Sequence, residues 1–355
     1  MRKMIRAKII GAGGYGGVGM TELLLGHPEA EIACLVDVAD IGKPISDIYL
    51  HLRGHCDMPI IDPSDPVAAE PVDVVFLATP DGVGMKLAGN ILESGAKVID
   101  YSGDFRFNSR ESYAEYARRI GRPVDHVSPD LLPTSVYGLA ELHRDDITQD
   151  RRLVGNPGCF AVSCILGLAP AVEQALLEPG TMICDCKTGV SGAGKKPAAA
   201  FHYPARYQTM NAYRLSGHQH VCEIERELGL LCNAETKITF TAQVVPVCRG
   251  IMSTLYGKLT KDLTEDRLFE LYCNRYADDA FVKVSRSDVA ASSSDVRGTN
   301  CCSLVVSVDP RTNIMRVVSY IDNLVKGQAG NALQNMNLLF GLPETMGLDR
   351  PGQYP

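Results

Sequence analysis

The segment that most restricts this chain is Gly11-Ala12-Gly13-Gly14-Tyr15-Gly16-Gly17-Val18-Gly19, which follows Lys8-Ile9-Ile10 and precedes a helical pattern at 20–25. Glycine lets a backbone turn tightly and come close to another group. The Gly11-x-Gly13-x-x-Gly16 spacing, placed between a strand and a helix, fits the dinucleotide fingerprint. There a helix N-terminus offers N–H donors and a favourable dipole to a pyrophosphate. Gly14, Tyr15 and Gly17 complete the expected cofactor loop. The next strand, expected at 31–37, ends on Asp37, where a carboxylate binds ribose hydroxyls in NAD enzymes and would repel a 2′-phosphate. An apolar run at 73–79 reads as a parallel strand covered on both faces. It ends on Thr79 and Pro80, at the strand end that lines a cofactor crevice in this kind of sheet.

A helical pattern at 85–93 and a strand at 97–100 continue the alternation, which predicts a Rossmann-like, doubly wound α/β domain. From about residue 180 the character changes. Strands are expected at 181–188, 237–247, 253–259, 281–284, 303–308 and 315–320, with helices near 220–230 and 264–277. Strands in succession point to a second, α+β domain with a mixed sheet. A last helical pattern covers 330–340.

Composition excludes several function classes. The chain has 355 residues, 45% of them hydrophobic, and a net charge of -7. An acidic chain has no general attraction for nucleic acid or anionic membranes, so an anionic substrate needs a site built locally from Arg, Lys and backbone N–H groups. No stretch approaches the ~18 apolar residues of a membrane span, and the N-terminus lacks the apolar core of a signal peptide. A cytoplasmic protein is expected. The twelve cysteines are dispersed, unlike a disulfide framework, and read mostly as buried free thiols. Cys184 and Cys186 alternate as on one face of a strand. No C-x2-C spacing or completed His/Cys set suggests a metal.

The most informative local sequence is Gly155-Asn156-Pro157-Gly158-Cys159-Phe160 followed by an apolar helical pattern. Cys159 falls in the first turn, where helix N–H groups stabilise a thiolate and can serve a tetrahedral oxyanion. Such a thiolate displaces phosphate from an acyl phosphate and leaves a thioester that accepts hydride. Its acid/base partner is sought in His218-Gln219-His220, with Glu223 placed to orient a histidine and His202 as a third imidazole.

These residues resemble the N-acetyl-gamma-glutamyl-phosphate reductase family, which performs a reductase step of arginine biosynthesis. Gly-Asn-Pro-Gly-Cys-Phe at 155–160 is similar to that family's active-site signature. So are His-Gln-His with Glu223-Ile224-Glu225, Ser102-Gly103-Asp104-Phe105-Arg106, the loop from Lys187 to Gly194, and the block from Ile321 to Gly330 with Gln334-Asn335-Met336-Asn337. The resemblance runs from Gly11 to about Leu348. It implies Cys159 as nucleophile, His220 as acid/base and His218 at the substrate. Arg106 is expected on the leaving phosphate, for which guanidinium is well shaped. Ser102, Asn156, Lys187, Tyr213 and Arg249 are further substrate or phosphate candidates. Ser191, Gly192 and Asn323 join the cofactor set.

The resemblance also implies a semialdehyde dehydrogenase-like architecture. Residues 1–156 and 326–355 form the NADP-binding domain, and 157–325 the catalytic and oligomerisation domain. It implies NADP(H) and a homodimer or homotetramer; Asp37 keeps NAD(H) open as cofactor. Three positions depart from the family pattern: Val162 stands for a usual Thr, and Val221-Cys222 for a usual Thr-Pro.

Two other readings compete. One is a related acyl-phosphate reductase: the Asn-Pro-Gly-Cys turn argues against aspartate-semialdehyde dehydrogenase, and a form acting on carrier-bound amino-adipyl or glutamyl phosphate needs a basic docking face. The other is a nucleotide-binding sensor without thiolate chemistry.

Overall fold

The computed structural model describes residues 3–353; the outermost bounds expected for the cofactor domain, at residues 1 and 355, lie outside them. The chain divides into two compact units. One comprises the residues up to Ala117, Pro123–Gly158 and Gln328–Arg350; the other comprises Arg118–Arg122, Cys159–Gly327 and the residues from Pro351.

The first unit is built on seven strands: β1 (Ile5–Ile10), β2 (Ala30–Val36), β3 (Ile60–Ile61), β4 (Val74–Leu77), β5 (Lys97–Asp100), β6 (Val136–Tyr137) and β7 (Leu153–Gly155). All pairings are parallel, in the order β3-β2-β1-β4-β5-β7-β6. Chain order reverses between β1 and β4, the switch point at which doubly wound sheets bind ligands beyond the strand C-termini. Every residue of β4 is buried, as a strand covered on both faces must be.

The glycine segment folds differently from the expected loop followed by a helix at 20–25. Helix α1 spans Tyr15–Leu25 and takes in Gly16, Gly17 and Gly19. Close approach compels this. A Cβ on Gly17 would lie 2.3 Å from the Gly11 carbonyl oxygen and 2.5 Å from Ala12 Cα. The helix thus starts against the loop that feeds it, and glycine's usual helical penalty is accepted there. Helices α2 (Gly84–Glu93) and α3 (Arg110–Arg119) follow.

The second unit has one mixed seven-stranded sheet. Its strands are β8 (Ile183–Thr188), β9 (Asn211–Tyr213), β10 (Thr239–Val244), β11 (Ile251–Lys258), β12 (Val282–Arg286), β13 (Cys302–Asp309) and β14 (Ile314–Ile321), in the order β12-β13-β14-β11-β8-β10-β9. The β8–β10 and β12–β13 pairs are parallel and the rest antiparallel. Helix α4 (Cys159–Glu173) is buried from Phe160 to Val172, the all-round apolar pattern of a core helix. It lies so close to the sheet that a Cβ on Gly167 would meet Leu255 Cδ1 at 2.2 Å. Ser163 Oγ bonds Ser253 Oγ at 2.9 Å and Ser319 Oγ at 3.0 Å, which satisfies the buried hydroxyls beneath it. Helices α5 (His220–Cys232) and α6 (Glu265–Arg275) complete this unit, and α7 (Gly330–Leu339) belongs to the first.

Candidate active site

Cys159 is the first residue of α4 and the only half-buried thiol at a helix start among the described residues. Asn156-Pro157-Gly158 is non-helical, so the first-turn N–H groups of α4 lack intrahelical partners. The chain at Gly327 comes against Cys159: a Cβ there would lie 2.7 Å from Cys159 Cβ, so glycine is needed. The other thiols of this helix region have a different setting. Cys164 and Cys186 approach to 3.5 Å, both fully buried, and burial pushes both well above the usual thiol range. They are core sulfurs. All twelve cysteines are free, and no cluster among the described residues could hold a metal.

Cys159 lines a cavity of about 580 Å³ in the second unit, together with Tyr213, Arg214, His218, His220 and Gly192. The histidine segment is brought there by α5. His220 is its first residue, and Glu223, one turn on, is fully buried. His218 sits in an aromatic cage, with ring centroids 5.6 Å from Phe160, 5.6 Å from Tyr213 and 5.0 Å from Phe240. The two imidazole centroids are 4.8 Å apart. Burial, then the nearby His220 and Arg214, hold the His218 pKa down to about 2, so this ring is neutral. His218 Nδ1 accepts the backbone N–H of His220 at 3.2 Å. A neutral ring that accepts at Nδ1 carries its proton on Nε2. Tyr213 is raised above the usual phenol range by burial first and then by the charge of Cys159, so it too enters the site as a neutral donor. His202 is exposed and does not line the cavity.

Several residues expected at the substrate have partners within the protein. Asn156 is buried with both ends of its amide engaged: Nδ2 donates to the Gln328 carbonyl at 3.0 Å, and Oδ1 accepts from Asn331 at 2.9 Å and Asn335 at 3.2 Å. These bonds brace the turn before Cys159. Lys187 pairs with Asp185 and is absent from the cavity wall, because strand alternation turns it to the face opposite Cys186 and Thr188. Arg249 Nε donates to Asp322 at 2.8 Å. Asn323, expected at the cofactor, accepts from the Gly250 N–H at 2.7 Å and donates to Ser191 Oγ at 3.0 Å. These contacts with Asp322 and Asn323 tie Arg249 and Gly250 to the Ser191 loop. That loop supplies Gly192 to the cavity.

In the first unit Arg106 is buried, with Nε on the Asn156 carbonyl and a terminal nitrogen on the Tyr101 carbonyl, both at 2.8 Å. Two of its donors go to backbone carbonyls. Ser102 Oγ donates to Asp100 at 2.6 Å and accepts from the Asp104 N–H at 3.2 Å. Both residues hold the turn after β5.

The cofactor loop fits a dinucleotide. Gly11 has φ +86°, and a Cβ on it would stand 2.4 Å from the Ala78 carbonyl oxygen. Gly16 packs against Gln328 and Tyr101. Thr79 Oγ1, Tyr101 Oη and Gln328 Oε1 are enclosed without a partner in the protein; buried polar atoms left so call for a ligand or water. Asp37 is engaged with the loop itself. One carboxylate oxygen accepts from the Gly13 N–H at 2.9 Å and the other from the Val38 N–H at 2.7 Å, so the carboxylate fixes the loop itself. Tyr101, Gln328, Arg206 and Arg214 were not singled out from sequence. Gln328 stood in a motif, whereas only tertiary packing marks the others.

The fold and the thiol–imidazole site define a semialdehyde dehydrogenase-type protein. The semialdehyde dehydrogenase NAD binding domain model matches residues 6–150, and the semialdehyde dehydrogenase dimerisation domain model matches 159–323. In fold the chain is similar to aspartate semialdehyde dehydrogenase II of Vibrio cholerae, with TM-score 0.69 and 17% identity over 96% of this chain and 99% of that one. It is also similar to aspartate semialdehyde dehydrogenase with NADP from Candida albicans, with TM-score 0.66 and 15% identity over 95% and 99%. The chain belongs to the N-acetyl-gamma-glutamyl-phosphate reductase family. It is 40% identical to the reductase of Citrifermentans bemidjiense over 99% of this chain and 100% of that protein, and 39% identical to that of Desulforudis audaxviator over the same shares.

Proposed function

We propose that this protein is an NADP-dependent oxidoreductase of arginine biosynthesis that converts N-acetylglutamyl phosphate to N-acetylglutamate semialdehyde through a thioester on Cys159. The observation that carries this is the placement of Cys159 at the start of α4, in one cavity with His218 and His220. The 40% identity to a named reductase over the whole chain supports it.

Cys159 Sγ attacks the acyl carbon, and phosphate leaves with the bonding pair of the broken C–O bond. The first-turn N–H groups of α4 stabilise the oxyanion of the tetrahedral intermediate. Reduced nicotinamide, when bound, supplies the hydride that takes the thioester to the aldehyde level. His220, which lines the same cavity, handles the proton as the thiol is engaged and released. Neutral His218 and Tyr213 donate hydrogen bonds to the substrate. Glu223 positions His220 from one turn along the same helix face.

Gly11, Gly13, Gly14, Tyr15, Gly16 and Gly17 hold the dinucleotide, with Thr79 and Pro80 beside them. NADP(H) is the cofactor, and Asp37 acts by bracing Gly13. The dimerisation-domain match supports self-association; a homodimer or homotetramer is part of this reading, as is a cytoplasmic location. No described helix is long and apolar enough to cross a membrane.

The test is a reverse-direction assay with N-acetylglutamate semialdehyde, phosphate and NADP, run beside NAD and beside carrier-bound aldehyde. Turnover with the free aldehyde and a higher kcat/KM for NADP are expected. Turnover only with the carrier-bound form, or binding without turnover, contradicts the proposal.

A further inference from the structure

The Cys159 cavity contains a guanidinium that the reaction as described does not use. Arg206, in a one-turn helix at Tyr203–Arg206, lines the same cavity as Cys159 and His220. One terminal nitrogen, Nη2, donates to Asn211 Oδ1 at 2.7 Å. Nε and Nη1 are enclosed and have no partner in the protein. The Phe201 ring packs against this guanidinium, with its centroid 5.9 Å from Cζ. Arg206 is therefore held in place while its donors remain open.

Enclosed donors of a permanently charged group are costly unless a ligand completes them. Nη2 has two hydrogens and Asn211 takes one. Whichever it takes, the other pairs with either Nε–H or Nη1–H to make one planar fork. A single planar fork matches a carboxylate. The second arginine of the cavity, Arg214, has φ +50°, is braced on Gln219 and sits close enough to act on the His218 charge. It belongs to the imidazole end, where the reacting carbonyl and its phosphate must lie.

We propose that Arg206 is a specificity-determining residue that receives the α-carboxylate of the acylated amino-acid substrate, away from the reacting acyl phosphate. This rests on the function proposed above, and it separates two anionic groups that the same substrate carries.

The reverse reaction tests it, because aldehyde and phosphate are then separate substrates. The probes are N-acetylglutamate semialdehyde, the same aldehyde lacking its carboxylate (acetamidobutanal), and inorganic phosphate. In the wild type the carboxylate-bearing aldehyde is preferred. Arg206→Gln lowers kcat/KM for it by on the order of 10–100-fold, the loss of a charged hydrogen-bond pair. It leaves acetamidobutanal turnover and the phosphate KM unchanged, and Arg206→Lys recovers part of the loss. Equal losses on both aldehydes, or a raised phosphate KM with aldehyde preference intact, overturn the assignment of Arg206 while the proposed reaction stands. A wild type inactive on both aldehydes overturns the proposed reaction and the assignment with it. Retained acetamidobutanal turnover also shows that the variant has folded.

Discussion

The backbone N–H of His220 donates to Nδ1 of His218 at 3.2 Å. This contact fixes the His218 tautomer with its proton on Nε2, while burial keeps the ring uncharged. Two histidines of one motif are thereby given different work. His220→Ala is expected to lower kcat by on the order of 10²–10⁴, the usual worth of general acid–base catalysis, and by more than His218→Ala does. Steady-state kinetics of both variants decide this; equal, small losses contradict the division of roles.

His218 also gives a stability signature. Its folded pKa, about 2, lies below the ordinary 6.5. Between those values the unfolded chain binds a proton that the folded chain does not, so stability falls as pH falls through that window. His218→Gln keeps an acceptor for the His220 N–H and cannot titrate. Its Tm should fall less steeply than that of the wild type as pH drops below 6.5. Parallel Tm curves would refute this.

Asp100 works in the opposite sense. Burial first, then the neighbouring Asp104, raise its pKa from 3.8 to about 8. The folded state therefore keeps a proton that the unfolded state gives up, and stability is lost as pH rises from about 4 to about 8. Asp100→Asn is neutral throughout and retains an acceptor for Ser102. Its stability relative to wild type should grow over that range, as read by thermal unfolding at several pH values. A constant difference between the two proteins would show that the carboxyl is not held neutral.

Asn156 tests the reassignment of an expected phosphate ligand. Asn156→Ala removes one acceptor each from the Asn331 and Asn335 amides, which keep the Gly138 carbonyl, and the donor to the Gln328 carbonyl. A loss of about 1–3 kcal/mol in unfolding free energy is expected for such buried groups, with the KM for phosphate unchanged. Unaltered denaturant stability with a raised phosphate KM would restore the ligand role.

The architecture was legible where periodicity is strong. The apolar β4 run and the alternating strands β11, β13 and β14 read as strands; the Gly-rich turn was legible by its spacing, but not that α1 starts within it at Tyr15. The two- and three-residue strands β3, β6, β7 and β9 carry no period and were not foreseen; pairing with neighbours creates them. Cys159 and the His218–His220 pair stood out because a nucleophile needs a helix start and a base nearby. Asn156, Arg249, Lys187 and Asn323 were chosen by residue type within motifs. Their hydrogen bonds go to distant or neighbouring protein groups that the one-dimensional sequence cannot show. Arg206 was missed for the converse reason. Its distinction is two enclosed donors, Nε and Nη1, without partners in the protein, and no local pattern encodes that.

The thioester itself can be observed. Incubating the protein with N-acetylglutamyl phosphate and no reductant, then quenching in acid and mapping peptides by mass spectrometry, should reveal an N-acetylglutamyl adduct on Cys159, with one phosphate released per site and none from Cys159→Ala. Phosphate release without an adduct, or an adduct on another cysteine, would contradict the account.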